Sequence, residues 1–261
     1  MTAFKRVIEV HIGNKIFNAN DFEITFDVPF DDNVELSEPK IEIYNLSPTT
    51  LNSFKKDEKV ILNAGYRDSY GMILSGKISR KETDLKSIDQ ATTIYVFDST
   101  DRWSGASIAK TYKKNIKASH VITDMAKALN IPLVMQLPND ITYPKGFIAE
   151  GKYMDIFKQL ATDTGAVAYV NKGKLYVRSG KVGDNSRLIL NSDTGLIGHP
   201  EPFEEEDKKG YKVKCLLNHR ITVASLIQLD SIIVKGNFRV KKGRHVYSGN
   251  TYYTEMEVFA V

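Results

Sequence analysis

Five histidines, one cysteine and a run of carboxylates are the residues with which this chain could do chemistry. His11, His120, His199, His219 and His245 are candidate metal ligands. No two of them stand at a ligand spacing such as His-Glu-x-x-His, and Cys215 has no second cysteine to join it. No metal and no cofactor is expected. Ser75-Gly76-Lys77 and Ser179-Gly180-Lys181 match the end of a phosphate-binding loop, but the first, with Gly71 five residues before Gly76, has Ile78 where Ser or Thr is required, and the second lacks the earlier glycine. No Gly-x-Ser-x-Gly elbow occurs, so that type of serine hydrolase lacks its signature.

Paired carboxylates would be the chemistry of a cell-wall carbohydrate-active enzyme, the alternative from another function class. Such an enzyme needs two of them at a defined separation. Glu204, Glu205, Glu206 and Asp207 are adjacent and run into Lys208 and Lys209. A catalytic acid needs burial or a like charge to raise its pKa, and this stretch reads as a solvated loop instead. Glu255 and Glu257 fall on one face of a strand, as on a solvated edge. No catalytic residue is assigned. Tyr66, Tyr70, Tyr95, Phe97, Tyr169, Tyr176, Tyr211, Phe238, Tyr247, Tyr252 and Tyr253 lie on candidate strands among Lys and Arg. Core packing ranks first for them, a protein interface second and base stacking third.

The elements that would carry these residues are mostly strands. Ile8, Val10 and Ile12 alternate with polar residues, and Gly13-Asn14 supplies a tight turn before Ile16 and Phe17. Phe22, Ile24, Phe26 and Val28 also share one face. Further strands are expected at 40–44, 59–66, 71–79 and 92–98, with one helical turn between them. Ser47 is its N-cap, Pro48 its first residue, and Leu51 and Phe54 face inward. After Trp103 the period changes. Ala118, Val121, Ile122, Met125, Ala126 and Leu129 form a helical stripe that Pro132 ends. A second helix over about 153–164 buries Ile156, Phe157, Leu160 and Ala161 and stops at Gly165. A hairpin of about 166–171 and 174–178 turns at Lys172-Gly173, and the helix should cover Val167, Tyr169, Leu175 and Val177 or their alternates. Lys181–Ser186 reads as a linker, followed by strands near 187–190, 211–217, 226–234, 236–242 and 251–259.

The fold class is therefore α+β, mainly β. Two small β-barrel-like domains, 1–100 and 183–261, flank an α/β helix–hairpin domain, 101–182. A net charge of +4, from 36 basic and 32 acidic residues, is too small and dispersed to indicate nucleic acid. No run approaches eighteen apolar residues, so no membrane span and no stable membrane association is expected. A lone cysteine forbids an intrachain disulfide, and the fold must rest on packing.

The segment GKYMDIFKQLATDTGAVAYVNKGKLYVR, positions 151–178, resembles a block of bacteriophage baseplate hub proteins of the late control D and contractile-tail hub group. KTYKKNIKASHVITDMAKAL upstream, and TGLIGHPEPFEEEDKKGYKVKCLLNHRI and GNFRVKKGRHVYSGNTYYTEMEV downstream, are similar to neighbouring parts of the same proteins. Val223-Ala224-Ser225 departs from a Pro-Gly-Asp-like turn common in that group. The resemblance implies a structural, non-enzymatic component of a phage, or of a tail-like bacteriocin. It implies a homotrimeric ring that adapts the hexameric tail tube to a trimeric spike. Its partners would be the tube protein ring, a central spike or tail-tip protein and other baseplate proteins, with DNA only in transit through a lumen. The location implied is the virion tail, after assembly in the bacterial host cytoplasm. The chain ends at Val261, so cell-wall cleavage or piercing is expected of another protein.

Overall fold

The structure, a computed structural model, describes residues 5–32, 38–85, 88–97, 105–181, 183–205 and 208–261. Trp103, Glu206 and Asp207 lie outside the described residues. The fold is α+β and mainly β. Two compact units divide it. One takes in Met1–Phe30, Ser37–Asp98 and Gly183–Val261, the other Asp31–Leu36 and Ser99–Val182.

The first unit opens with β1 (Arg6–Ile12), β2 (Lys15–Asn18), β3 (Ile24–Asp31) and β4 (Lys40–Tyr44). Helix α1 (Pro48–Ser53) follows, then β5 (Lys59–Tyr66), β6 (Ser69–Thr83) and β7 (Ala91–Phe97). Alternation sets their inner faces: Ile8, Val10, Ile24, Phe26, Ile41, Ile43, Val60, Leu62, Ile94 and Val96 share one buried core. Ser47 caps α1 by accepting a hydrogen bond from the Thr50 amide, with Pro48 in the first turn.

The second unit holds β8 (Ser107–Tyr112), β9 (Ile116–Lys117), α2 (Ala118–Ala128), β10 (Leu133–Gln136), β11 (Thr142–Tyr143) and β12 (Phe147–Lys152). After them come α3 (Tyr153–Asp163), β13 (Ala166–Asn171) and β14 (Lys174–Ser179). Both apolar stripes are buried as expected, Val121, Ile122 and Met125 on α2 and Ile156, Phe157 and Leu160 on α3. The hairpin turns through Lys172 and Gly173, both at positive φ. Its helix-side face is Ala168, Leu175 and Val177, while Val167 and Tyr169 point the other way. Asn130, at φ 53°, ends α2 ahead of Pro132. Lys117 cannot cap that helix, so Asp140 does it from a neighbouring loop, accepting from the Ser119 amide (3.0 Å) and hydroxyl (2.9 Å). Burial opposes charge on Asp140, but these bonds and Lys117 outweigh it and hold its pKa below the usual carboxylate value.

The first unit resumes with β15 (Asp184–Leu190), so the strand begins inside the stretch that reads as a linker. β16 (Leu196–Glu205), β17 (Lys208–Leu216), β18 (Ser225–Asp230), β19 (Lys235–Ser248) and β20 (Thr251–Ala260) complete the chain. Leu190, Val213, Ile227, Val240, Met256 and Val258 form a second β core. The two β regions belong to one sheet whose path is β16-β17-β20-β19-β3-β4-β7-β6-β5-β1-β2, with β18 on β19 and β15 on β18. Tyr252 pins the junction. Its hydroxyl accepts from the Gly65 amide (2.6 Å) and donates to the Gly65 carbonyl (2.7 Å).

The two β regions repeat one another strand by strand. β3-β4-β7-β6-β5 has the same order as β16-β17-β20-β19-β18. Ile78 pairs with Val96 just before a bulge, and Val240 pairs with Val258 just before an equivalent one. The Ile78 carbonyl accepts from Asp57, at φ 66°, and the Val240 carbonyl from Ala224, at φ 64°. Buried Thr92 bonds Thr83 across the ladder, and buried Thr254 bonds His245 at the matching place. Ala224 thus occupies a left-handed position that glycine would fill without strain.

Three outcomes follow from this packing. Leu160→Ala should cost about 2–5 kcal/mol in denaturant unfolding, because the side chain is fully buried. Tyr252→Phe orphans a buried amide and should cost about 1–3 kcal/mol by the same measurement. Asp140→Asn should be less stable than the parent at pH 7. The depressed folded pKa makes Asp140 stabilising above the unfolded value near about 4 and removes that benefit as pH falls through the lower folded value. The gap between the two proteins should therefore shrink in acid, as thermal melts at pH 7 and pH 3 would show.

Candidate interaction surfaces

The residues with catalytic potential are dispersed and engaged. His120 and His199 are exposed on separate units, and His245 is buried with Nδ1 2.8 Å from the Thr254 hydroxyl. His11 lies 3.7 Å from Glu9, and the His219 ring sits against Gly71. Among the described residues no three His, Cys, Asp or Glu side chains converge as a metal site would require. Cys215 is buried, which pushes its thiol up to about 12, away from the thiolate a nucleophile needs.

The carboxylates behave likewise. Glu205 accepts a 2.6 Å bond from Lys241, which holds its pKa below the usual value, opposite to the shift a general acid requires. Glu257 pairs with Lys242 at 3.1 Å, and Glu255 pairs with Arg244. Both glutamates stand on β20 between basic strands, Lys212 and Lys214 of β17 on one side and Lys242 and Arg244 of β19 on the other.

That ladder extends beyond the C-terminal strands. One row reads Glu201, Lys212, Glu257, Lys242 across β16, β17, β20 and β19. The next reads Lys214, Glu255, Arg244, Asp27, Lys40 across β17, β20, β19, β3 and β4. Arg244 reaches Asp27 at 3.5 Å and ties the rows across the junction. A shallow cleft of about 140 Å³ lies beside it, lined by Phe26, Asp27, Lys40, Glu42 and Tyr247. Cross-strand alternation of sign is favourable pair by pair and leaves the face without a strong net potential.

The aromatic residues divide between core and surface. Tyr66, Tyr169, Phe238 and Tyr252 are buried, and Tyr70 is exposed. Tyr95 and Tyr253 are half-buried with a cation of this chain already over the ring, Arg80 at 3.5 Å and Lys214 at 3.7 Å. Each of those rings thus has one face engaged within the chain. Exposed apolar side chains gather instead at hairpin tips: Leu85 (71% exposed) and Ile88 (99%) between β6 and β7, and Ile232 (91%) and Ile233 between β18 and β19. Ile232 and Ile233 fall beyond Asp230, where the strand expected to reach 234 ends, and Leu85 and Ile88 lie outside every strand expected from the sequence.

Solved structures with the same fold include tail proteins. The chain superposes on a tail protein from Neisseria meningitidis MC58 with a TM-score of 0.73 and 10% identity, covering 98% of this chain and 97% of that one. It matches the 43 kDa tail protein of prophage MuSo2 from Shewanella oneidensis equally well, at 0.73 and 10%, covering 98% of each. The E. coli c3393 protein, a type VI secretion component similar to T4 tail proteins gp27 and gp5, matches at 0.70 and 9%, over 97% of this chain and 76% of that one. No curated protein is similar in sequence. The family model for baseplate hub gp41 matches residues 34–244. The chain belongs to the baseplate hub gp41 family and is a structural component of a phage baseplate hub.

Proposed function

We propose that three copies of this chain close into a ring that adapts a hexameric tail tube to a trimeric spike. The observation that carries this reading is the internal repeat. Two alike, barrel-like β modules per chain become six in a trimer, and six alike modules present a quasi-sixfold surface while the whole remains threefold. The α/β unit appears once per chain and keeps the threefold character. The first domain is 1–100, the second 101–182 and the third 183–261, with the outer two as the alike modules. The ring acts by affinity and symmetry matching, with no bond made or broken, and assembles in the host cytoplasm before joining the virion tail.

The face of alternating charges is suited to line the channel. A polyanion binds where unpaired Lys and Arg release its counterions, and here the cations are paired with Glu and Asp of neighbouring strands. DNA would pass without being held.

Light scattering of the purified protein should give three times the 29.4 kDa chain mass. Images of particles should show a threefold ring between tube and spike, with Glu255, Glu257 and Arg244 toward the lumen. A ring of another order, or a monomer at the tail tip, would overturn the reading.

A further inference from the structure

Within one chain, the two modules meet where β3 lies along the second half of β19. The first half of β19 is taken by β18, and beyond Val240 that edge becomes available to β3. Arg244 pairs with Asp27 at this join, the Phe30 and His245 rings lie 5.1 Å apart, and Tyr247 packs on Phe26 at 5.9 Å.

The repeat identifies the counterparts of both partners. β6 stands where β19 stands: β5 covers its residues 69–77, as β18 covers the start of β19, and the bulge after Ile78 matches the one after Val240. β16 stands where β3 stands: Glu201 pairs with Lys212 as Asp27 pairs with Lys40. Yet the second half of β6 has no strand on its β5 side among the described residues, and β16 ends the sheet. Seven strand spacings of roughly 4.8 Å separate these two edges along the sheet of one chain. Each is half of a join whose other half the chain does not bring to it.

We infer that the second half of β6, Arg80–Thr83, mates with β16 of a second copy, repeating between chains the contact that β19 makes with β3 within one. This rests on the ring reading and says which edges close it. The matching strand order and bulges support the choice, whereas charge does not select it: Arg80 is already paired with Glu38 and Glu82, and Lys81 with the Leu51 and Phe54 carbonyls. Apolar exposure supports it too. Leu85 follows Thr83 by two residues, as Tyr247 follows His245; Tyr247 has Phe26 to pack on, whereas Leu85 is 71% exposed. Both strands of the β3 type carry proline, Pro29 in β3 and Pro200 and Pro202 in β16, which removes ladder donors. Side-chain contacts therefore carry much of either join. A contact between two different patches is heterologous, and closes into a ring when its rotation divides the circle.

The test uses Glu82→Cys with Glu201→Cys, the counterparts of Arg244 and Asp27. Both side chains are on solvent-side faces, and the native Cys215 is buried. A short bismaleimide should convert the double variant to covalent dimers and trimers on denaturing gels, while either single variant stays uncrosslinked. Matching far-UV circular dichroism confirms that the variants fold. If the unmodified protein is a trimer by light scattering but the double variant does not crosslink, the edge assignment is wrong and the ring reading stands. A crosslinked ladder running past three supports the edge pairing and overturns the closed ring. A monomer that does not crosslink overturns both.

Discussion

An unpaired β edge is the constraint around which this chain is organised. A long strand that bends out of its own module leaves backbone donors and acceptors exposed, and exposed edges recruit whatever strand is near. In the C-terminal module that strand is β19, and β3 of the N-terminal module covers it. Tyr252 then locks the arrangement by placing its hydroxyl on both backbone groups of Gly65, in a region whose burial pushes its own pKa upward. Arg6 stacks over the same ring at 5.3 Å, and Tyr66 and Tyr247 pack edge-on against it. Residues at opposite ends of the sequence thereby depend on one another, which is why the first and last stretches fold as one unit.

The elements most legible in the sequence were those whose period is strict and whose ends are chemically marked. Ile8, Val10 and Ile12 alternate, and Gly13 follows at φ 57°. The stripe Ile156, Phe157, Leu160 and Ala161 ends at Gly165, at φ 69°. β16 was missed because Pro200, Pro202 and a break in register between Ile197 and Glu201 destroy its alternation. β8, β10 and β12 were missed for a different reason. They are short, and much of their burial comes from partners distant in sequence, such as the parallel pairing of Leu133 with Leu175. Propensity and period carry no information about such partners.

The internal repeat was illegible for a reason that bears on function. Structural equivalence is kept by bulges, by positive-φ carbonyl bonds at Asp57 and Ala224, and by buried threonines, while most side chains between them differ. The few shared letters include Thr92, Val96 and Phe97 against Thr254, Val258 and Phe259. Divergence is greatest on the solvent face, where Tyr95 and Thr93 of one module correspond to Glu257 and Glu255 of the other. What the two modules share is backbone geometry and strand order, not surface chemistry.

The same separation of shape from chemistry shows in the titratable residues described. Glu205 is held ionised by the adjacent Lys241 and Cys215 is held neutral by burial, while Glu255 and Glu257 are ion-paired with Arg244 and Lys242. Glu205 and Cys215 are thus pinned in the protonation states that they would also have in the unfolded chain at neutral pH. Reactive groups are tuned the other way, toward pKa values near the working pH. A carboxylate pinned between two lysines gains nothing for bond cleavage, but it fixes the register of three strands and cancels their charge. Along a sheet that joins two modules, that cancellation lets the face stay polar and ordered. What the titratable residues do here is keep a surface in register.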